Sequence, residues 1–383
     1  MKTVDAVEIF KCLKDFYQGL IEEEIIEVLK DTNDIFVLRE MKSDIKIAIE
    51  RKNLVPSNRK VIAPFKEFTL WQDLKNYNYG LDNRKLTFFK AKGFYITNTA
   101  EFLFRYEKIQ NELPDSEMKN FKIGDVEFEI GEPSELFKVL FHHISKEEHF
   151  EWEDFHTIKL KNINKEKLES YLQNAMYLIH KHAPSEYVGD YPQIYKYLYA
   201  HNYYQDIELT DEKVEKEIDK SFKVGKYPEA LAFFNDGKQK RDFLSFYKVI
   251  EHFFVINRKN EFEEYIKNYN DDKNLNLILN KITKVYKDNE IDLLGTLINN
   301  LENMEPILKL ALSKGLISNQ ADKKEFTKNL YEFRNSKVHG KGDANFELLV
   351  PTILNLNENN DWEIIIEELA KLIIEQFCFP QPE

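Results

Sequence analysis

Turn-forming residues are scarce in this chain. There are 12 glycines and 11 prolines among 383 residues, well under the roughly 7% and 5% of average proteins. So few chain reversals favour long helices over many short strands. They argue against a β-sandwich, a propeller, a collagen-like rod or a glycine-rich phosphate cradle. With 43% apolar and 32% charged residues, the chain can bury a core, and its length suits two or three domains.

The charge balance narrows the function classes. Lys and Arg number 54 against 67 Asp and Glu, a net charge of −13. No global basic field exists to draw the protein along a nucleic acid, so such contact requires a local patch. The longest apolar runs, such as Ile364–Ile366, are far too short to span a bilayer. The opening Met-Lys-Thr-Val-Asp lacks the apolar region of a signal peptide. Cys12 and Cys378 provide neither a disulfide framework nor a cysteine zinc site. A soluble cytoplasmic protein with no membrane partner is expected.

Texture changes along the chain. Ala6, Ile9, Phe10, Leu13, Phe16, Tyr17 and Leu20 recur every three or four positions and predict an amphipathic helix. Strand-type runs follow at residues 35–38, 45–49, 86–89 and 94–97. Alternation on either side of Gly124-Asp125 predicts a two-residue hairpin between Phe121 and Ile130. Pro133 is placed in the first turn of a helix over 136–144, and Asn164 is the expected N-cap of a helix from 165 to about 182. Beyond Thr210 helices are expected at 211–222, 242–256, 274–287, 290–300, 322–338 and 361–379, separated by short polar breaks. The expectation is a mainly α protein: an α+β domain over 1–205 and an all-helical domain over 206–383.

One string concentrates the chemistry: Tyr331-Glu-Phe-Arg334-Asn335-Ser-Lys337-Val-His339-Gly340. The chain has only eight arginines and nine histidines, so composition predicts roughly 0.03 instances of Arg, a polar residue, three residues and His. Seven basic residues against three acidic ones lie between Lys314 and Lys341, the most phosphate-friendly stretch of an acidic protein. RNA carries its own nucleophile, the 2′-hydroxyl. Cleavage therefore needs positioning, proton transfer and charge stabilisation, with no metal or cofactor. An imidazole with an ordinary pKa of about 6.5 suits His339 to proton transfer near neutrality. Arg334 offers a permanently charged fork for the scissile phosphate. Asn335 can orient the imidazole or substrate. Such products carry 2′,3′-cyclic phosphate and 5′-hydroxyl ends.

The Arg-Asn-x-x-x-His string at the close of a helix resembles the signature of the HEPN superfamily, all-helical domains common in prokaryotic RNA-cleaving toxins and antiviral effectors. The segment from Phe243 through Glu251 to Phe254 also resembles an early helix of such domains, particularly in the ApeA-like branch of defence proteins. The resemblance covers roughly residues 225–380. It implies a C-terminal HEPN-like bundle acting as an endoribonuclease in antiphage defence or as a toxin, with RNA (tRNA among the candidates) as substrate. It also implies a homodimer with a composite site. Geometry points the same way: five residues of straight helix turn by about 500°, leaving Arg334 and His339 roughly 140° apart. The N-terminal part would then regulate or target the nuclease, through a partner of its own.

Each feature also has a plainer reading. Gly340 can be a left-handed helix cap with His339 at the negative dipole end, leaving a non-catalytic HEPN-fold interaction or nucleotide-binding protein that works through dimerisation. Glu251, at the edge of the stripe Phe243, Tyr247, Ile250 and Phe254, is either a partner for Arg334 or a solvated glutamate. Tyr331 and Lys337 are supporting candidates. His142, His143, His149, His156, His180 and His182 lack metal-ligand spacing and read as surface or interface histidines. Asp44, Glu50-Arg51-Lys52 and Lys60 suggest a magnesium nuclease only weakly, because roughly eight acid-x-Lys pairs are expected by chance. The six tyrosines from Tyr191 to Tyr204 read as an interface seal before a base-stacking platform.

Overall fold

The computed structural model describes residues 2–4, 7, 10–11, 14–15, 17–53, 57–61, 80–81, 86–89, 92–106, 118–141, 155–185, 190–195, 220–240, 242–273, 275–276, 279–280, 283, 289–319, 322–338 and 360–379. The chain divides into two compact units, Met1–Phe222 and Lys223–Glu383.

Strands and three helices are described in the front unit. In chain order the strands are β1 (Lys2–Val4), β2 (Ile26–Asp31), β3 (Ile35–Glu40), β4 (Lys46–Glu50), β5 (Ser57–Val61), β6 (Gly80–Leu81), β7 (Leu86–Phe89), β8 (Gly93–Ile96), β9 (Thr99–Tyr106), β10 (Asn120–Ile123), β11 (Val126–Gly131), β12 (His156–Lys161), β13 (Pro192–Ile194) and β14 (Lys220–Phe222). They form a pair β1–β5, a four-stranded sheet β2-β3-β4-β6, and an eight-stranded sheet ordered β14-β10-β11-β12-β9-β8-β7 with β13 also on β9. Described pairings are antiparallel except β10 with β14. The expected hairpin is β10–β11: Ile123 pairs with Val126, and Gly124 takes a φ of 56°, which glycine adopts without a Cβ penalty.

The helices are α1 (Gln18–Glu22), α2 (Glu135–Phe141) and α3 (Leu168–His182). Asn164 does cap the turn leading into α3, its side chain accepting from the Glu166 N–H. At α2 the structure differs from the expectation. Ser134, not Pro133, starts the helix, its hydroxyl accepting from the Phe137 N–H at 3.1 Å. Glu101 on β9 holds this cap from below. It accepts from the Ser134 N–H and hydroxyl and from the Thr157 hydroxyl. Burial still pushes its carboxyl pKa up, because desolvation outweighs those bonds.

The second unit is helical: α4 (Pro228–Lys240), α5 (Phe243–Ile256), α6 (Lys259–Asp272), α7 (Glu290–Asn300), α8 (Glu305–Ser313), α9 (Lys323–Val338) and α10 (Asn360–Phe377). Side-chain caps start α5 and α7, where Asp242 accepts from the Leu244 and Ser245 N–H groups and Asn289 from the Asp292 N–H. Helix α5 is the spine: Phe243, Phe246, Tyr247, Val249, Ile250, Phe253 and Phe254 are buried, and it packs on α4, α7, α9 and α10. Gly237 permits the closest approach, since a Cβ there would lie 2.8 Å from the Phe246 ring. Among the described residues no helix is long and apolar enough to cross a membrane.

Two expectations are corrected. The helix placed over 211–222 does not reach its end, because Lys220–Phe222 is a strand running parallel to β10; residues 211–219 lie outside the described set. The division between units accordingly falls after Phe222, later than the position near 205. Most of the helix placed over 274–287 also lies outside the described residues.

His156, expected at a surface or an interface, lies on a central strand of the large sheet and is buried, at 2% exposure. Its Nδ1 has no hydrogen-bond partner among the described residues. Burial, with the Lys119 charge adding to it, pushes the imidazole pKa down to about 4. An ordinary histidine in the unfolded chain titrates near 6.5. Its neutral form therefore supports folding fully above about 6.5, and that support is lost as the pH falls through about 4. The expected loss is about 3 kcal/mol. Urea unfolding of wild type and His156→Leu at pH 7 and pH 4 checks this: the wild type should lose about 3 kcal/mol more than the variant, since other titrating groups cancel.

Candidate functional site

Helix α9 carries the Arg-Asn string. Phe326, Leu330 and Phe333 lie four and three residues apart and are buried, forming the stripe that docks the helix. The Phe333 ring meets Phe243 of α5 edge-on at 4.9 Å and stacks on Trp362 of α10 at 5.8 Å. With Phe333 so fixed, the next residue projects along α5 and α7.

Arg334 is held from several sides. Its Nη2 donates to Glu251 Oε1 at 3.1 Å and lies 3.2 Å from Glu290 Oε1. Nη1 donates to the side-chain oxygen of Asn335 at 3.1 Å. The guanidinium carbon sits 5.4 Å from the centroid of the Tyr247 ring, within cation–π range. The Tyr247 hydroxyl donates to Glu290 Oε1 at 3.1 Å, so this oxygen serves both groups. Burial, and then the Glu290 carboxylate, hold the Tyr247 phenol far above its ordinary pKa. It therefore remains a donor throughout the physiological range.

Exposure grades the three ionic groups: Arg334 is 17% exposed, Glu290 27% and Glu251 37%. A guanidinium so withdrawn from water needs compensation, and two carboxylates leave the triad one negative charge in excess. At this depth the desolvation of the charges opposes their attraction, so the larger effect comes from removing one partner and leaving the others uncompensated.

The remaining predicted residues are distributed around this point. Asn335 is buried and engaged with Arg334. Tyr331 is half-buried, three residues before Arg334 on the same helix. Lys337 turns to α10, 3.7 Å from Glu363 Oε1 and 5.2 Å from the Phe333 ring centroid. His339, Gly340 and Lys341 lie outside the described residues. Glu290 and the Tyr247 hydroxyl were not among the residues singled out from the sequence. Their only signal is a first-turn acid following Asn289 and a polar tip within an apolar stripe.

The other motifs resolve separately. Glu50 pairs with Lys52 at 2.6 Å and Asp44 with Arg39 at 3.6 Å; the Lys60 side chain lies outside the described set. Tyr191 is fully buried and contacts His180 at 4.8 Å, while Arg105 sits 4.5 Å over the Tyr195 ring. The four later tyrosines, and His142, His143 and His149, are outside the described residues. The exposed His182 contacts Phe222 at 4.9 Å. Among the described residues no group of three or more His, Cys, Asp or Glu is placed to hold a metal ion.

Comparison with protein-family models, curated proteins and solved structures finds no match.

Removing the guanidinium strands two carboxylates beside a buried phenol. Arg334→Ala is expected to lower stability by about 1–2 kcal/mol. Hydrogen exchange of the full-length protein should show the loss of protection first in α7 and α9.

Proposed function

We propose that the protein is a metal-independent endoribonuclease of HEPN type, acting in antiphage defence or as a toxin. The supporting observation is the setting of Arg334: a guanidinium held near the C-terminal end of a helix in an all-helical unit, with Asn335 bonded to it. His339 is the next residue in the chain after the described end of α9 at Val338.

In this reading Arg334 binds the scissile phosphate and offsets the charge that grows on its oxygens. The 2′-oxygen attacks phosphorus as the P–O5′ bond breaks. One His339 imidazole takes the 2′-hydroxyl proton, and a second supplies a proton to the departing 5′-oxygen. Two histidines and two arginines are brought together if the helical units of two chains associate about a twofold axis. A homodimer is therefore part of the proposal, with the front unit regulating or targeting the nuclease.

A second reading draws on the same geometry. Arg334 is already compensated by two carboxylates, and Lys314 and Lys337 have acidic partners in Asp361 and Glu363. That favours a non-cleaving HEPN-fold protein which dimerises and holds a partner or nucleotide.

One experiment separates them. Purified wild-type protein, incubated in EDTA with a panel of RNAs including tRNA, should yield 2′,3′-cyclic phosphate and 5′-hydroxyl ends. His339→Ala should reduce the rate at least 10²-fold. Arg334→Lys, which keeps the charge but loses the fork, should also abolish most activity. Light scattering should report a dimer. Intact RNA throughout the panel selects the second reading, and cleavage that survives both substitutions removes Arg334 and His339 from the mechanism.

A further inference from the structure

The two carboxylates on Arg334 are not equivalent. Glu290 is tied twice, by its ion pair with the guanidinium and by the hydroxyl of the buried Tyr247. It also occupies the first turn of α7, where the helix dipole favours a negative charge. Among the described residues Glu251 has one tie, the hydrogen bond from Arg334 Nη2 at 3.1 Å, and it is the more exposed of the two. That bond occupies one of the N–H donors of Arg334 Nη2.

Charge gives the same ordering. With both carboxylates in place the triad carries a net negative charge and repels an incoming phosphodiester. With Glu251 turned away, Arg334 and Glu290 neutralise each other and Nη2 regains a free donor. Glu251 lies in the second half of α5, and its half-buried side chain, 37% exposed, has water within reach when it turns away.

We infer that Glu290, fixed by Tyr247, is a positioning residue that aims Arg334, and that Glu251 is a displaceable occupant of the place an RNA phosphodiester takes. The inference rests on the ribonuclease reading of this site. Its distinctive consequence is that neutralising the two glutamates has opposite effects.

Binding, separated from cleavage, provides the test. Full-length His339→Ala protein is titrated with a mixed-sequence 2′-O-methyl RNA oligonucleotide, which has no free 2′-hydroxyl to attack. Added to this background, Glu251→Gln should lower Kd at least threefold and steepen the dependence of log Kd on log salt by about 0.7, as for one more phosphate contact. Glu290→Gln should raise Kd at least threefold, and so should Tyr247→Phe, which keeps the ring and loses only the hydroxyl. Tyr247→Phe carries this arm if Glu290→Gln does not fold. Shifts in the same direction for Glu251→Gln and the other arm, or shifts under twofold in both, overturn the inference. Cleavage by wild type with such a result removes the displacement idea and leaves the nuclease standing. Opposite shifts without any cleavage keep phosphate binding at Arg334 and remove the nuclease.

Discussion

A guanidinium cannot give up most of its water without something in return, and the arrangement around Arg334 follows from that constraint. Its 17% exposure comes from the stacking of Phe333 between Phe243 and Trp362, which seats α9 against α5 and α10. Compensation is drawn from three places in the chain: Glu251 on α5, Glu290 on α7, and Asn335 beside it on α9. The apolar seam fixes the helix, the helix fixes the charge, and the charge selects its partners. Any anion that approaches Arg334 meets a charge that is already compensated.

Much of the fold was readable where local chemistry decides conformation. Gly124 marks the β10–β11 turn, Asn164 marks the start of α3, and α7 spans the expected 290–300. These signals act within a few residues. The centre of the large sheet was not readable. β9 is buried at Ala100 through Phe104 with no alternation, Glu101 included, and a short stretch without period-two alternation does not distinguish a two-sided buried strand from a helix segment. His156 was misjudged for a related reason: its burial is set by strands β9 and β11 on either side of β12, which leave no trace beside it in sequence.

The candidate site divides along the same line. The Arg-Asn-x-x-x-His string is local, so its rarity could be weighed from composition. Glu290 is one acid among 67, and only the packing of α7 against α5 and α9 brings it to Arg334. Tyr247 was legible as an apolar-stripe residue, while the direction of its hydroxyl was not.

The three residues of β14 have a practical consequence for anyone dividing the gene. Sequence texture invites a cut near residue 205, yet Lys220–Phe222 closes one side of β10 through the sole parallel ladder among the described strands. A fragment ending before that strand would expose the hydrogen-bonding edge of β10 beside the apolar Phe121 and Ile123. Open edges of this kind recruit other chains. A fragment that precipitated would then report a missing strand, not an unstable front unit.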